Sequence, residues 1–188
     1  MGSPTKPRTR GGSTGENDAG RVVPSGYALP VQVEITPYDD PDAAKLIAEV
    51  QQEYVTRYGD HDGTPVEPSE FAPPRGLFFV GYLDGTPVAC GGWRAHDGPA
   101  PEFQPGDAEM KRLYVAERAR GNGHARAMIE ALERSAREAG RLRMILETGR
   151  KQPEAISLYR SIGYTPIPKF GVYHDDPLSI CFGKALTE

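Results

Sequence analysis

The chain has 188 residues, enough for one domain with a proper core and little beyond it. Hydrophobic residues make up 38%, charged residues 26%, and the formal net charge is −4; this composition excludes a wholly disordered chain and argues against a general nucleic-acid binder, which needs a basic surface. No apolar run approaches the roughly 20 residues that cross a bilayer, and the polar N-terminus lacks the apolar segment of a secretory signal, so we expect no membrane association and a cytoplasmic address.

Residues 1–26 contain no aromatic side chain and few aliphatics. They cannot bury enough surface to offset their ordering entropy and read as a disordered tail, with the folded domain over residues 27–188. Residues 31–35 alternate apolar and polar, the period of a half-buried strand. Asp40 and Pro41 then supply an N-cap and a first-turn proline, and Leu46, Ile47, Val50 and Tyr54 recur at helical spacing up to about residue 58. Residues 59–74 are polar and punctuated by proline, a loop or a broken second helix. Two apolar runs, 76–83 and 87–93, flank Asp84-Gly85 and form a hairpin. Residues 109–115 make the next strand, 124–139 an amphipathic helix ended by Gly140, and 142–146 a short buried strand, together one right-handed unit with parallel strands. In that helix Ala125, Met128, Ile129, Leu132, Ala136 and Ala139 form the apolar stripe, with Glu130–Arg134 and Glu133–Arg137 as pairs on the wet side. A helix over 152–162 and strands near 164–167 and 178–184 complete the order. Cys90 and Cys181, the only two cysteines, lie in strand-like runs and read as buried thiols rather than a disulfide. The fold class is α/β (α+β): one mixed, mostly antiparallel sheet of about six to seven strands, one parallel βαβ unit and about four helices.

The segment with the most chemical content is Arg120-Gly121-Asn122-Gly123-His124-Ala125, between an apolar strand and the start of a long helix. Such a turn leaves several backbone N–H groups free and aims a helix's positive end at one point, a natural seat for a diphosphate. A phosphate loop of the Gly-Lys-Ser/Thr kind is excluded because His124 and Ala125 follow Gly123. A dinucleotide fingerprint would want Gly or Ala where Arg126 stands, and no acidic residue closes a following strand in the right register. A coenzyme A diphosphate loop is left.

At these residues the chain resembles the GCN5-related N-acetyltransferases (the GNAT superfamily). Residues 120–125 match that family's Gln/Arg-x-x-Gly-x-Gly/Ala signature. Glu109 to Val115 look like its fourth strand, and residues 155–164 (Ala155, Leu158, Tyr159, Gly163, Tyr164) look like its Ala-x-x-Leu-Tyr-x-x-x-Gly-Phe/Tyr segment. The resemblance spans residues from about 31 to 186, and the run from 146 through 179 looks like a bacterial branch of small-molecule acetyltransferases. It implies acetyl-CoA as co-substrate, no metal, and transfer of the acetyl group directly to an amine. The implied coenzyme contacts are Leu113, Tyr114 and Val115 on the strand edge, one of whose N–H groups would polarise the thioester carbonyl. Arg120, Gly121, Asn122, Gly123, His124, Ala125 and Arg126 would follow on the turn, with Arg118 as a further phosphate contact. Gln152 stands where the family often has asparagine.

Acetyl transfer from a thioester needs the amine to lose a proton and the departing thiolate to gain one. Tyr159 matches the family's donor to the coenzyme sulfur; its phenol, with an ordinary pKa of about 10, is neutral near pH 7. Its alternative is a core aromatic, since Ala155, Tyr159 and Ile162 share a helix face. Glu109 is the candidate base, against a purely structural pairing with Lys111 or Arg112; Glu147 and His174 are its rivals. By family analogy the acceptor site lies between residues 46–74 and 169–177, where Tyr54, Tyr58, Asp60, Arg94, Tyr173 and Asp176 could line it. Asp175 and Asp176 favour an amine-bearing acceptor. The leading function is a small-molecule N-acetyltransferase, with no nucleic-acid or membrane partner and a possible homodimer. A protein-directed acetyltransferase and a non-catalytic acyl-CoA-binding module are the alternatives.

Overall fold

A computed structural model of the chain describes residues 30–97 and 102–186; the tail expected over residues 1–26 lies outside them. Seven strands form one sheet: β1 (Gln32–Ile35), β2 (Gly76–Leu83), β3 (Thr86–His96), β4 (Asp107–Val115), β5 (Arg143–Gly149), β6 (Thr165–Ile167) and β7 (Ser179–Ala185). Their order is β1-β2-β3-β4-β5-β7-β6. Every neighbouring pair is antiparallel except β4 and β5. Three α-helices accompany them: α1 (Pro41–Tyr58), α2 (His124–Glu138) and α3 (Pro153–Ser161). This is the mixed α/β domain expected, with one parallel unit, β4-α2-β5.

The helix ends follow from local chemistry. Asp40 accepts a hydrogen bond from the Asp42 N–H at 2.9 Å, Pro41 opens α1, and Gly59 closes it at φ +91°. The β2–β3 turn puts Asp84 and Gly85 both at positive φ, the geometry of a tight hairpin. In place of a second α-helix, the segment before β2 forms only a 3-10 turn, Pro68–Phe71. Prolines 65, 68, 73 and 74 leave too short an unbroken run for more.

Two layers cover the sheet. Residues from α2 and α3 pack on one face with Trp93, Met110, Met144 and Phe182. Residues from α1 and the 3-10 turn cover the other with Phe78, Val80 and Cys90. Cys90 and Cys181 are both buried and free. On α2 two assignments change. Glu133 is not on the wet side with Arg137 but 6% exposed, with Lys184 Nζ 2.7 and 2.9 Å from its two carboxylate oxygens. Helical spacing put Glu133 beside the apolar stripe, and a lysine on β7 gives it a partner there. Ala139, at the C-cap, is exposed rather than part of the stripe.

The parallel pair is short. Only Asp107, Ala108 and Glu109 register with Arg143, Met144 and Ile145. Arg143 grips fully buried Asp107 through Nε and Nη2, each at 2.7 Å, and the Gln104 N–H adds a bond at 2.8 Å. Beyond Glu109 the ladder stops and the strands part. On its other side β4 carries a bulge opposite Cys90–Gly92, with Arg112 at φ +56°. The extra residue turns Lys111 and Arg112 to the same face, both toward Asp62, while Met110 and Leu113 both pack under α2. Asp107→Asn, which leaves Arg143 without its charge partner, is expected to cost about 3 kcal/mol, read as a drop in the urea midpoint.

Candidate active site

The parting of β4 and β5 opens a cavity of about 600 Å³ that runs from the glycine turn to the loops after α1 and before β7. At one end the turn presents its backbone. Gly121 and Gly123 both sit at φ +81°, and a Cβ on either would meet nothing within 4 Å. Among the described residues none of the N–H groups from Gly121 to Arg126 has a hydrogen-bond partner; the first that does is Ala127, to the Gly123 carbonyl at 3.1 Å. A helix start with this many free donors and an open approach is built to receive an anion. Gly121, Gly123, His124, Ala125 and Arg126 line the cavity, as do Leu113, Tyr114 and Val115.

The arginines are less free than their charge suggests. Arg120 Nε donates to the Val115 carbonyl at 2.9 Å and Nη2 to Glu53 at 2.5 Å. Arg126 reaches only the Ser161 hydroxyl, at 3.2 Å, and stays exposed. Arg118 lies outside the cavity, donating to the Pro87 carbonyl at 2.8 Å. The Asn122 side chain turns away, toward the Ala119 and Arg120 carbonyls, so only its N–H can serve the turn. Gln152 lines the cavity as the residue before α3, with Nε2 3.4 Å from the Tyr58 hydroxyl.

Midway along, two titratable groups face the cavity. Tyr159 is 6% exposed, and its hydroxyl makes no hydrogen bond among the described residues. Burial, with Glu147 nearby, pushes its pKa upward, so the phenol stays protonated and free to donate. Glu147, on β5 past the last parallel pair, lines the same cavity. Burial raises its pKa, and Asp62 and Glu109 add to the rise against the pull of Lys111.

Glu109 is placed differently from a base. It is 3% exposed and does not line the cavity. One of its oxygens lies 2.8 Å from both Arg94 Nε and His96 Nε2, and the other 3.5 Å from Lys111 Nζ. Burial works against its charge, but the His96 hydrogen bond, Lys111 and Arg94 outweigh it and hold the carboxyl down at about 2. A carboxylate so well satisfied has little basicity left. Its three-residue register with β5 explains the placement: Glu109 belongs to the paired part of β4, below the opening. His174, also weighed as a base, is an exposed loop residue beside Asp175 at 2.9 Å and outside the cavity.

The far end is lined by Tyr54, Tyr58, Asp60, Tyr173 and Asp176, as expected for an acceptor region, but not by Arg94, which is committed to Glu109 and Glu70. The Gly63 N–H donates to the Tyr173 hydroxyl at 2.7 Å and ties the loop after α1 to the loop before β7. Among the lining residues that sequence reasoning did not place there are three charged ones, Asp62, Lys111 and Arg112. Asp62 accepts from Thr64 N–H at 2.9 Å, Thr64 Oγ1 at 2.7 Å, and Arg112. Burial opposes its charge, yet Lys111 and Arg112 keep its pKa below the ordinary value.

The model of the acetyltransferase (GNAT) family matches residues 44–164. The IAA acetyltransferase of Azospirillum brasilense is 34% identical over 142 residues, 76% of this chain and 89% of that protein. The chain belongs to the GNAT acetyltransferase family. It is accordingly an N-acetyltransferase. An uncharacterised N-acetyltransferase of Escherichia coli K12 is 28% identical over 73% of the chain and 83% of its own length. Among solved structures, a Klebsiella pneumoniae protein assigned as an acyl-CoA N-acyltransferase superposes with a TM-score of 0.66 at 28% identity, over 84% of this chain and 98% of that one. The Thermoplasma acidophilum PaiA N-acetyltransferase, solved in complex with coenzyme A, shares the fold at a TM-score of 0.59 and 16% identity, over 82% and 99%.

β4 thus divides where its ladder with β5 ends, into a structural half, Asp107 to Glu109, and a cavity-lining half, Met110 to Val115. Because the Glu109 carboxyl is depressed in the fold, its stabilisation is complete above its unfolded value of 4.5 and fades as pH falls from there toward about 2. Glu109→Gln is expected to lower the urea midpoint at pH 7 and to flatten its fall with acid across that window.

Proposed function

We propose that the chain acetylates the amine of a small molecule by direct transfer from acetyl-CoA, with Glu147 as the base and Tyr159 as the proton donor. The observation that carries this reading is their common exposure to one cavity, whose other end offers the six free amides of residues 121–126. A coenzyme diphosphate fits those amides and the open space over Gly121 and Gly123. The extended pantetheine arm fits the strand edge that β4 leaves unpaired past Glu109. The CoA complex of the PaiA neighbour supports the same assignment.

The amine nitrogen attacks the thioester carbonyl carbon, forming the N–C bond, and the oxygen takes the charge beside a β4 N–H. An acceptor that arrives as an ammonium first gives one proton through Glu147 to solvent, which frees its lone pair. Glu147 then accepts the second proton, shed by the nitrogen once the N–C bond has formed. The C–S bond then breaks, and the sulfur takes the Tyr159 hydroxyl proton; solvent returns the proton from Glu147 to Tyr159. The raised pKa of Glu147 suits it to accept a proton, where the satisfied carboxylate of Glu109 does not. The tie between Gly63 and Tyr173 crosses the acceptor end and favours a small acceptor over a protein segment, which would need an open groove. The IAA relative's name points the same way, toward a small molecule.

Glu147→Gln is expected to lower kcat by roughly a hundredfold or more. In the native enzyme the rate should rise with pH through a group titrating above the ordinary carboxylate range, because the base acts ionised; in the variant that limb should disappear. Tyr159→Phe should slow turnover while acetyl-CoA affinity, read by calorimetry, holds. If acetyl-CoA binds and both variants keep the native rate, the catalytic assignment fails. Gly123→Glu, which brings a side chain and a like charge into the amide cradle, should raise the acetyl-CoA Kd at least tenfold.

A further inference from the structure

Lys111 and Glu147 occupy equivalent positions on the two parting strands. Glu109 registers with Ile145, so two residues further along, on the same face, Lys111 stands opposite Glu147 across the opening. Both line the cavity, yet the strands have separated far enough that the two do not pair with each other. The Lys111 side chain is 6% exposed, and its ammonium makes no hydrogen bond among the described residues; its carboxylate neighbours lie at 3.5 Å (Glu109) and 4.0 Å (Asp62). Both neighbours have closer partners: Arg94 and His96 hold Glu109, and Arg112 holds Asp62. A buried ammonium that faces a cavity, with carboxylates at ion-pair distance but no hydrogen bond made among the described residues, has donors that a ligand can take up.

We infer that the acceptor is an α-amino acid or a close analogue, bound as its zwitterion across the gap, with its carboxylate on Lys111 and its amino group toward Glu147. The inference rests on the Glu147 reading above and extends it. Lys111 puts a positive charge on one side of the gap and Glu147 a carboxylate on the other, so each end of the zwitterion meets its complement. A monoamine without a carboxylate would fill the Glu147 side and leave Lys111 with only its two long ion pairs, without the hydrogen bonds a carboxylate would add. Alongside Asp60 and Asp176, this end of the cavity offers Tyr54, Tyr58, Tyr173 and Leu178 as surface for an apolar side chain.

Matched pairs test this directly: L-leucine against isopentylamine, and L-phenylalanine against phenethylamine, with acetyl-CoA consumption followed by thiol release. The native enzyme is expected to favour the amino acid in each pair by roughly tenfold or more in kcat/KM. In Lys111→Met that ratio should collapse to about one or below, through KM for the amino acid, with acetyl-CoA affinity checked by calorimetry to show the fold intact. Equal or better turnover of the decarboxylated amines by the native enzyme overturns the inference while leaving the amine acetyltransferase standing; so does an undiminished ratio in a Lys111→Met protein that still binds acetyl-CoA. Failure to acetylate any of the four overturns both readings together. The native comparison needs no variant, so it decides the matter even if Lys111→Met does not fold.

Discussion

The molecule depends on β4 and β5 being held together at one end and kept apart at the other. A salt bridge between fully buried Asp107 and Arg143, the first of three register pairs, closes the lower end, and two more pairs follow above it. The bulge at Arg112 then changes which way β4 presents its side chains. Were the ladder to continue, the main-chain groups past Glu109 would be spent on β5 and no cavity would separate Lys111 from Glu147. The unpaired edge costs sheet hydrogen bonding, and a binding channel through the middle of the sheet is the result.

The same splitting sorts three nearby carboxylates. Glu109, below the opening, is saturated by Arg94, His96 and Lys111 and carries charge as part of the structure. Asp62, at the rim, is tied to Arg112 and Thr64 and anchors the loop after α1. Glu147, above the opening, has no such set of partners, and burial dominates its titration. Two strand glutamates, two register positions apart, thus take opposite characters: several hydrogen bonds and cations converge on Glu109, while at Glu147 burial outweighs the pull of Lys111.

Much of this was legible in the sequence for particular reasons. The N-cap Asp40, the Asp84-Gly85 turn and the helix-ending glycines act through local backbone geometry, which short stretches of sequence encode. The glycine turn is equally local, and its free amides follow from a helix beginning where no side chain caps it. Tyr159 was found because it sits in a fixed relation to Leu158 and Gly163 in the family's motif, not because its helix periodicity said so. Glu133 was misplaced by one face because its partner, Lys184, is 51 residues away.

By itself the sequence determined the order of elements, the uncapped glycine turn, the acetyltransferase family and the position of a tyrosine that faces the cavity, because each is written within one element or one contiguous motif. Which carboxylate is free to accept a proton was decided only by tertiary structure. Glu109 and Glu147 look alike as strand glutamates; their difference is the length of the β4–β5 ladder and the presence of Arg94 and His96, supplied by β3. Nor does alternation along a strand predict that Lys111 and Arg112 share a face, since the bulge that turns them is set by pairing with β3. Protonation and charge complementarity depend on what surrounds a group in space, and those surroundings are assembled from residues far apart along the chain.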